Sequence, residues 1–310
     1  MNTTRVQATS LWAYLQLTRP ANVLTAWADI LLGYAAAGET NQIQSVWAGQ
    51  ASLLTLAPLG WLLLATTGLY AGGVVFNDVF DAELDAIERP ERPIPSGRAS
   101  LQGAALLGSA LLVGGVLAAA QVSLISALLA IGIAIAALLY DSGGKHQDTW
   151  GPINMGLCRG GNLLLGVSAA TELLPERWFL ALLPIAYIAA VTAISRGEVQ
   201  GGKRETGILA LVLAGIVISG LLGLGFLPVY RLSVAVPFIL LFAALILPAF
   251  VKATRDPSAE TIRNAVRSGV LSLIVMDAAI AAGFAGWIYG AIVLLLLPVS
   301  ISLARVFAVT

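Results

Sequence analysis

Ten stretches of mainly apolar residues run through the chain, each about 18 to 24 residues long and thus near the length that a helix needs to cross a bilayer. In hydrocarbon the backbone N–H and C=O groups must bond within the segment, which a helix achieves and an open strand does not. The sequence therefore predicts an all-α, polytopic membrane bundle that forms a single domain over residues 1–310. The stretches lie at about residues 21–38, 53–76, 101–120, 123–140, 152–171, 177–195, 207–227, 231–251, 262–284 and 287–307.

The last two stretches are joined by little more than Ala285 and Gly286. Together they contain about 45 mainly apolar residues, which is too many for a single crossing. We therefore predict two helices here, with one tilted and broken ninth helix as the alternative. The predicted number of spanning helices is nine or ten.

Charged residues make up only 11% of the chain, against about 25% in soluble domains. This composition excludes an ordinary soluble enzyme and a disordered chain. The 17 basic and 17 acidic residues give no net charge, so the chain lacks the basic excess of a nucleic-acid-binding protein. One cysteine, Cys158, and one histidine, His146, exclude a thiolate zinc site and a multi-histidine metal centre. What remains is a membrane protein.

The basic residues predict how the chain is oriented in the membrane. With the N-terminus in the cytoplasm, 13 of the 17 Lys and Arg residues are cytoplasmic, and only Arg177 and Arg231 fall on the other side. The long charged loops are then all cytoplasmic, which favours an enzyme of a bacterial inner membrane, or an equivalent membrane, whose site opens to the cytoplasm. These loops lie at about residues 77–100, 141–151, 196–206 and 252–261.

Six of the 17 acidic residues lie between Asp78 and Glu91, directly after the second apolar stretch. Positions four apart share a helix face, so Asn77, Asp81 and Asp85 form one oxygen-bearing stripe. Like charges at this spacing repel each other, and Mg²⁺ bound to a diphosphate would compensate them. The stripe therefore predicts a Mg²⁺ site that holds a diphosphate, with a solvated acidic helix end as the alternative.

Basic residues near the stripe are candidates for binding the diphosphate itself. Arg89 and Arg92 each precede a proline, which places them in an extended loop just past the stripe. Arginine forks bind phosphate oxygens in pairs. Lys145, in a later cytoplasmic loop, is a third candidate. The alternative is that these residues only orient the chain in the membrane.

The segment from Asn77 to Gly97 resembles the first aspartate-rich motif of the UbiA superfamily of intramembrane prenyltransferases, N-D-x-x-D-x-x-x-D followed by R-P-x-R-P-(I/L)-x-x-G. Every fixed position of this motif is present. The segment from Arg19 to Asn22 is similar to the start of the family's first helix, and residues between Gly151 and Gly166 resemble its fifth helix. The resemblance covers most of the chain.

This resemblance implies a nine-helix bundle with a central cavity open to the cytoplasmic side. It implies transfer of a polyprenyl group from a polyprenyl diphosphate to an acceptor, often an aromatic ring, after Mg²⁺-dependent loss of the diphosphate. Asn77, Asp81 and Asp85 would hold the first Mg²⁺. Asp81, Asp85 and Arg159 would form the catalytic set.

The chain departs from the family's second motif, which is typically D-x-x-D-x-x-x-D after the sixth helix. Ser195, Glu198 and Gly202 stand where acids are typical, so only Glu198 offers a carboxylate to a second metal. Arg196 and Lys203, together with the glycines of this loop, are predicted to bind the diphosphate directly. The departure leaves open the alternative that the protein is a degenerate, non-enzymatic member that binds a prenyl lipid or assists transport. The altered motif loosely resembles that of the UbiA-like branch called EboC.

Several polar residues fall inside the predicted spans, where ionisable groups usually have a function. Asp29 is predicted either to pair with Arg159 or to orient the acceptor. Arg159 and Asn162, three apart, share a face of the fifth helix and are predicted to contact the acceptor or the diphosphate. Asn22 is a further candidate for acceptor binding, and Asp277 is predicted to form a structural pair. For Asp29, Arg159, Asn162 and Asn22, the alternative is a purely structural hydrogen bond or ion pair.

Overall fold

The computed structural model describes residues 11–147, 149–198 and 201–307. These residues form helices joined by turns and loops, and no strand occurs among them. The predicted all-α fold is therefore confirmed. The α-helices that begin after residue 19 are α1 (Pro20–Ala36), α2 (Thr40–Trp47), α3 (Ala57–Phe80), α4 (Ala82–Glu88), α5 (Leu101–Ala120), α6 (Leu124–Asp141), α7 (Trp150–Val167), α8 (Leu174–Arg177), α9 (Leu182–Ser195), α10 (Arg204–Gly223), α11 (Leu232–Arg255), α12 (Ala259–Ala285), α13 (Trp287–Leu294) and α14 (Leu296–Phe307).

All ten predicted stretches are largely helical. Among the described residues, eight helical segments are long and apolar enough to cross a membrane, by length and composition. The two remaining stretches are α1, which has 17 residues, and α7, which carries Arg159 and Asn162 within its 18 residues. Both are mostly buried by other helices, so they need less apolar sequence than a helix that faces lipid.

The chain reverses direction at Gly286, between α12 and α13. Gly286 has φ 98°, a left-handed conformation that glycine adopts without a steric penalty. α13 then packs back against α12, which agrees with two helices rather than one long crossing. α14 packs against α1, and Ser300 Oγ of α14 donates a hydrogen bond to the Ala21 carbonyl of α1 at 2.8 Å.

The bundle has two main hydrophobic cores. The larger one joins α1, α7 and the helices from α9 to α13, and includes the buried rings of Tyr187 and Phe242. The smaller one lies between α3, α5 and α6. α3 and α5 approach closely because Gly68 and Gly115 face each other, and a Cβ on Gly68 would lie 2.5 Å from a backbone oxygen of α5.

The charged loops predicted to be cytoplasmic lie at one end of the bundle. Arg196, after α9, donates to the Gln147 carbonyl in the loop after α6. Arg263 Nη1, at the start of α12, donates to the Glu198 carbonyl at 3.0 Å. The aspartate-rich segment is at the same end, since Lys145 contacts Asp81.

Candidate active site

The acidic stripe lies where α3 ends and α4 begins. Asp81 separates the two helices, but backbone hydrogen bonds continue through it. The Asp81 N–H donates to Asn77 O at 3.0 Å and the Asp85 N–H donates to Asp81 O at 2.8 Å. Asn77, Asp81 and Asp85 therefore share one face, as their spacing predicts. Asp85 is buried, and the other two are partly buried.

Two arginines neutralise the acids on one side of the stripe. Arg92 Nη1 lies 2.6 Å from Asp85 Oδ2 and 3.3 Å from Asp78 Oδ1. Arg19 Nη2 lies 2.6 Å from the same Asp78 oxygen. Arg92, predicted to bind diphosphate, thus contacts carboxylates in this structure. A diphosphate or metal ion that used these groups would have to exchange with the ion pairs.

On the other side, the end of α6 and the following loop contact the stripe twice. Asn77 Nδ2 donates to Asp141 Oδ1 at 2.9 Å. Lys145 Nζ donates to Asp81 Oδ1. Sequence reasoning identified Lys145 but missed Asp141. A signal was present, because Asp141 and Lys145 are four apart, like Asn77 and Asp81.

A cavity of about 290 Å³ lies between α3, α6 and α7, next to Arg19, which directly precedes α1. At one end, the Asn77 end, its walls are polar and include Arg19, Asn77, Tyr140 and Asp141. At the other, the Arg159 end, they include Thr66, Arg159 and Asn162. Thr66 and Asn77 are eleven positions apart on α3, so the two ends are about 16 Å apart at 1.5 Å per residue. The walls between them are mainly apolar, and they include Leu69, Gly73, Val74, Ile133, Ala137 and Met155.

A buried polar network closes the Arg159 end. Arg159 Nη2 donates to Asp29 Oδ1 at 3.3 Å, and its Nε lies 3.1 Å from Asp29 Oδ2, within ion-pair distance although the N–H is not aligned for a hydrogen bond. Asn162 Nδ2 donates to Asp29 Oδ2 at 2.8 Å, and its Oδ1 accepts from Thr66 at 2.7 Å. Asp277 lies behind this network as an electrostatic neighbour of Asp29 and Arg159. The network holds Arg159 and Asn162 in fixed orientations.

The loop that stands in place of the second aspartate motif contains Glu198, whose basic neighbours come from two other segments of the chain. Glu198 interacts with the positive charges of Arg89 and Arg263. Burial raises the pKa of Glu198, and these arginines only partly oppose that rise. Among the residues that the structure describes, no three acidic, histidine or cysteine side chains are arranged to hold a metal ion. Glu198 is thus not part of such a group with the stripe.

The predicted site residues are only partly brought together. Of the three acceptor candidates, Asn162 lines the cavity, whereas Asn22 and Asp29 do not. Of the five diphosphate candidates, Arg92 and Lys145 contact the stripe. The others lie in the loops around it: Arg89 is near Glu198, Arg196 binds the Gln147 carbonyl, and Lys203 is exposed just before α10.

The model of the UbiA prenyltransferase family matches residues 43–273. The chain belongs to this family. It is a multi-pass integral membrane protein, as its apolar helices predict. Two similar proteins are both named digeranylgeranylglyceryl phosphate synthase. The one from Methanoculleus marisnigri is 32% identical over 233 residues, which cover 70% of this chain and 78% of the relative. The one from Ignicoccus hospitalis is 29% identical over 209 residues, which cover 66% of this chain and 64% of the relative, slightly less than two thirds of its length.

Solved structures share the fold. One, from work on digeranylgeranylglyceryl phosphate synthase in membranes, has a TM-score of 0.65 at 20% identity and covers 89% of this chain and 98% of its own. Another is a UbiA homologue from Archaeoglobus fulgidus bound to GPP and Mg²⁺. Its TM-score is 0.61 at 20% identity, and it covers 91% of this chain and 99% of its own. At these identities the likeness shows the fold.

Proposed function

We propose that the protein transfers a prenyl group from a prenyl diphosphate to an acceptor inside the membrane, with Mg²⁺ as its cofactor. The observation that carries this proposal is the cavity, which has an apolar middle and an acidic and basic Asn77 end. A prenyl diphosphate has the same distribution, an apolar chain with an anionic head. The family and the GPP-bound and Mg²⁺-bound homologue support the same substrate class.

The oxygen donors at the Asn77 end suit Mg²⁺, which prefers carboxylate and amide oxygens together with substrate phosphates. Asn77 donates its Nδ2 to Asp141 and so keeps its Oδ1 for a cation. Asp85 uses Oδ2 to bind Arg92 and keeps Oδ1. Together with Asp81 these groups would hold Mg²⁺. When bound, the metal would stabilise the charge that develops on the leaving diphosphate.

The chain's own residues supply the rest of the chemistry. Lys145 and Arg19 lie at the Asn77 end, where a bound diphosphate can accept the hydrogen bonds that these residues donate to Asp81 and Asp78 in this structure. The apolar walls exclude water, which protects an allylic cation from hydrolysis. The Asp29 carboxylate keeps Arg159 and Asn162 in place, so the Arg159 end presents oriented polar groups to the acceptor.

The acceptor class follows from the relatives rather than from the cavity. Their name contains a glyceryl phosphate that carries geranylgeranyl groups. We therefore propose a glyceryl phosphate lipid as the acceptor and a geranylgeranyl group as the donor chain. The aromatic acceptor implied by the sequence resemblance is the second candidate. A non-enzymatic role is favoured by one observation, the loss of acids at Ser195 and Gly202.

An assay of the purified protein in nanodiscs tests this proposal. Geranylgeranyl diphosphate and Mg²⁺ are supplied with either geranylgeranylglyceryl phosphate or 4-hydroxybenzoate, and product and released diphosphate are measured. We expect Mg²⁺-dependent product with the first acceptor, and a loss of about 100-fold or more in Asp81→Asn. Glu91→Gln, an exposed acid of the same segment, is the matched control. Tight Mg²⁺-dependent donor binding without product from either acceptor would support the non-enzymatic role.

We propose that the Asn77 end of the cavity faces the cytoplasm. The clustering of the charged loops at this end supports the proposal, since positive charge is enriched on the cytoplasmic side. Cysteine labelling tests it in a Cys158→Ser background. Glu91→Cys should react with an impermeant maleimide only after the cells are opened. Gln50→Cys, which is exposed in the loop after α2, should react in intact spheroplasts.

A further inference from the structure

Asp141 lies at the Asn77 end of the cavity, outside the aspartate-rich motif. It is the last residue of α6, and only 6% of its surface is exposed. Among the described residues that line the cavity, it carries the only carboxylate. A negative charge at the C-terminal end of a helix is disfavoured by the helix dipole. A negative charge on Asp141 at this position therefore lowers the stability of the helix.

The hydrogen bond between Asp141 and Asn77 determines how the Asn77 amide is oriented. An ionised carboxylate only accepts hydrogen bonds, so the Asn77 Nδ2 must face it. The Asn77 Oδ1 consequently points away from Asp141. Without an acceptor-only partner, an asparagine amide can turn by 180° and exchange its oxygen and nitrogen. Asp141 thus selects one of two orientations of a predicted metal ligand.

We propose, given the proposed Mg²⁺ site, that Asp141 is a positioning residue that presents the Asn77 Oδ1 to the metal ion. Partners behind a metal ligand commonly fix its orientation, and their loss weakens metal binding about 10- to 100-fold. The support matters more in this chain because the second motif retains only Glu198. That carboxylate interacts with Arg89 and Arg263.

Mn²⁺ titration tests the role of Asp141 without any requirement for turnover. The full-length protein in nanodiscs is titrated with Mn²⁺ in the presence of inorganic diphosphate, and free Mn²⁺ is measured by electron paramagnetic resonance. The variants are Asp141→Asn, Asn77→Ala and the double variant, with Glu91→Gln as the control. Unfolding temperatures without metal show which variants are folded. Asp141→Ser replaces Asp141→Asn if the latter does not fold, since its hydroxyl can also donate to Asn77.

We expect Asp141→Asn to raise the Mn²⁺ Kd about tenfold or more. The double variant should bind as weakly as Asn77→Ala alone, because Asp141 acts through Asn77. A Kd for Asp141→Asn within about twofold of the wild-type value would overturn the inference. So would losses that add in the double variant, since Asp141 would then act on the metal directly. Wild-type protein that binds no Mn²⁺ would overturn the proposed function as well.

Discussion

The Lys145 ammonium contacts the Asp81 carboxylate across 64 residues of sequence. Four residues earlier on both segments, Asn77 donates to Asp141 with the same separation of 64. The end of α6 and the loop after it therefore run in register with the end of α3, and they place one anion, Asp141, and one cation, Lys145, against the acidic stripe. Because Lys145 donates a hydrogen bond to Asp81, a metal ion must compete with this lysine for the same carboxylate.

Replacement of Lys145 by methionine should separate metal binding from diphosphate binding. Without the competing ammonium, we expect Lys145→Met to bind Mg²⁺ alone at least as tightly as the wild type does. The KM for the prenyl diphosphate should rise about tenfold or more, since a hydrogen bond from a charged group contributes about 1.5–3 kcal/mol. Calorimetric titration and steady-state kinetics measure the two effects. Lys252→Met, an exposed lysine near the end of α11, should change neither value.

Arg92 is expected to contribute to stability because it bridges Asp78 and Asp85, which are both buried. Arg92→Ala leaves two carboxylates with fewer partners. It should lower the free energy of unfolding by about 2 kcal/mol, which is less than the roughly 3–5 kcal/mol lost when a fully buried pair is broken. Arg92→Lys should recover part of the loss, since an ammonium lacks the fork that reaches both acids. Thermal unfolding in detergent measures the effect. Exposed Arg255 offers the control Arg255→Ala, and an equal loss there would contradict the role of Arg92.

The opposite end of the bundle should show a pH-dependent stability. Burial, and then the negative charge of Glu172, raise the pKa of Glu39 above its ordinary value of 4.5. The folded protein thus binds this proton more tightly than the unfolded chain, so the contribution of Glu39 is greatest below pH 4.5 and falls as the pH rises through its raised pKa. As the pH rises from 4.5 through the raised pKa of Glu39, the unfolding temperature of the wild type should therefore fall relative to that of Glu39→Gln. Glu172→Gln should reduce this pH dependence, and a difference that is constant with pH would contradict the prediction.

The sequence predicts the spans and the acidic stripe because both depend on local spacing. Apolar length locates the helices, and the four-residue spacing of Asn77, Asp81 and Asp85 survives the break between α3 and α4. The reversal at Gly286 is also local, since a glycine between two apolar stretches allows the left-handed turn that the structure shows.

The partners of the residues in the aspartate-rich segment depend on how helices distant in sequence pack together, which the spacing of residues along the chain does not reveal. Asp141 reaches Asn77 over 64 residues and Arg19 reaches Asp78 over 59. Arg19 also has φ 44°, a left-handed conformation that is uncommon outside glycine and unexpected before a proline. Glu198 was predicted from its position in a motif, but its electrostatic partners come from two other loops.

The two buried aspartates at the Arg159 end should respond in opposite ways to the same substitution. Asp29 binds Arg159 and Asn162, so Asp29→Asn leaves a buried guanidinium uncompensated and should cost about 3–5 kcal/mol. Asp277 is fully buried beside Asp29, and neither of its oxygens accepts a hydrogen bond from a donor group of another residue type among the described residues. Asp277→Asn removes one of two adjacent buried carboxyl groups and should leave the unfolding temperature unchanged or higher. Thermal unfolding of both variants measures this contrast. A large loss in Asp277→Asn would show instead that its carboxylate is needed to compensate Arg159.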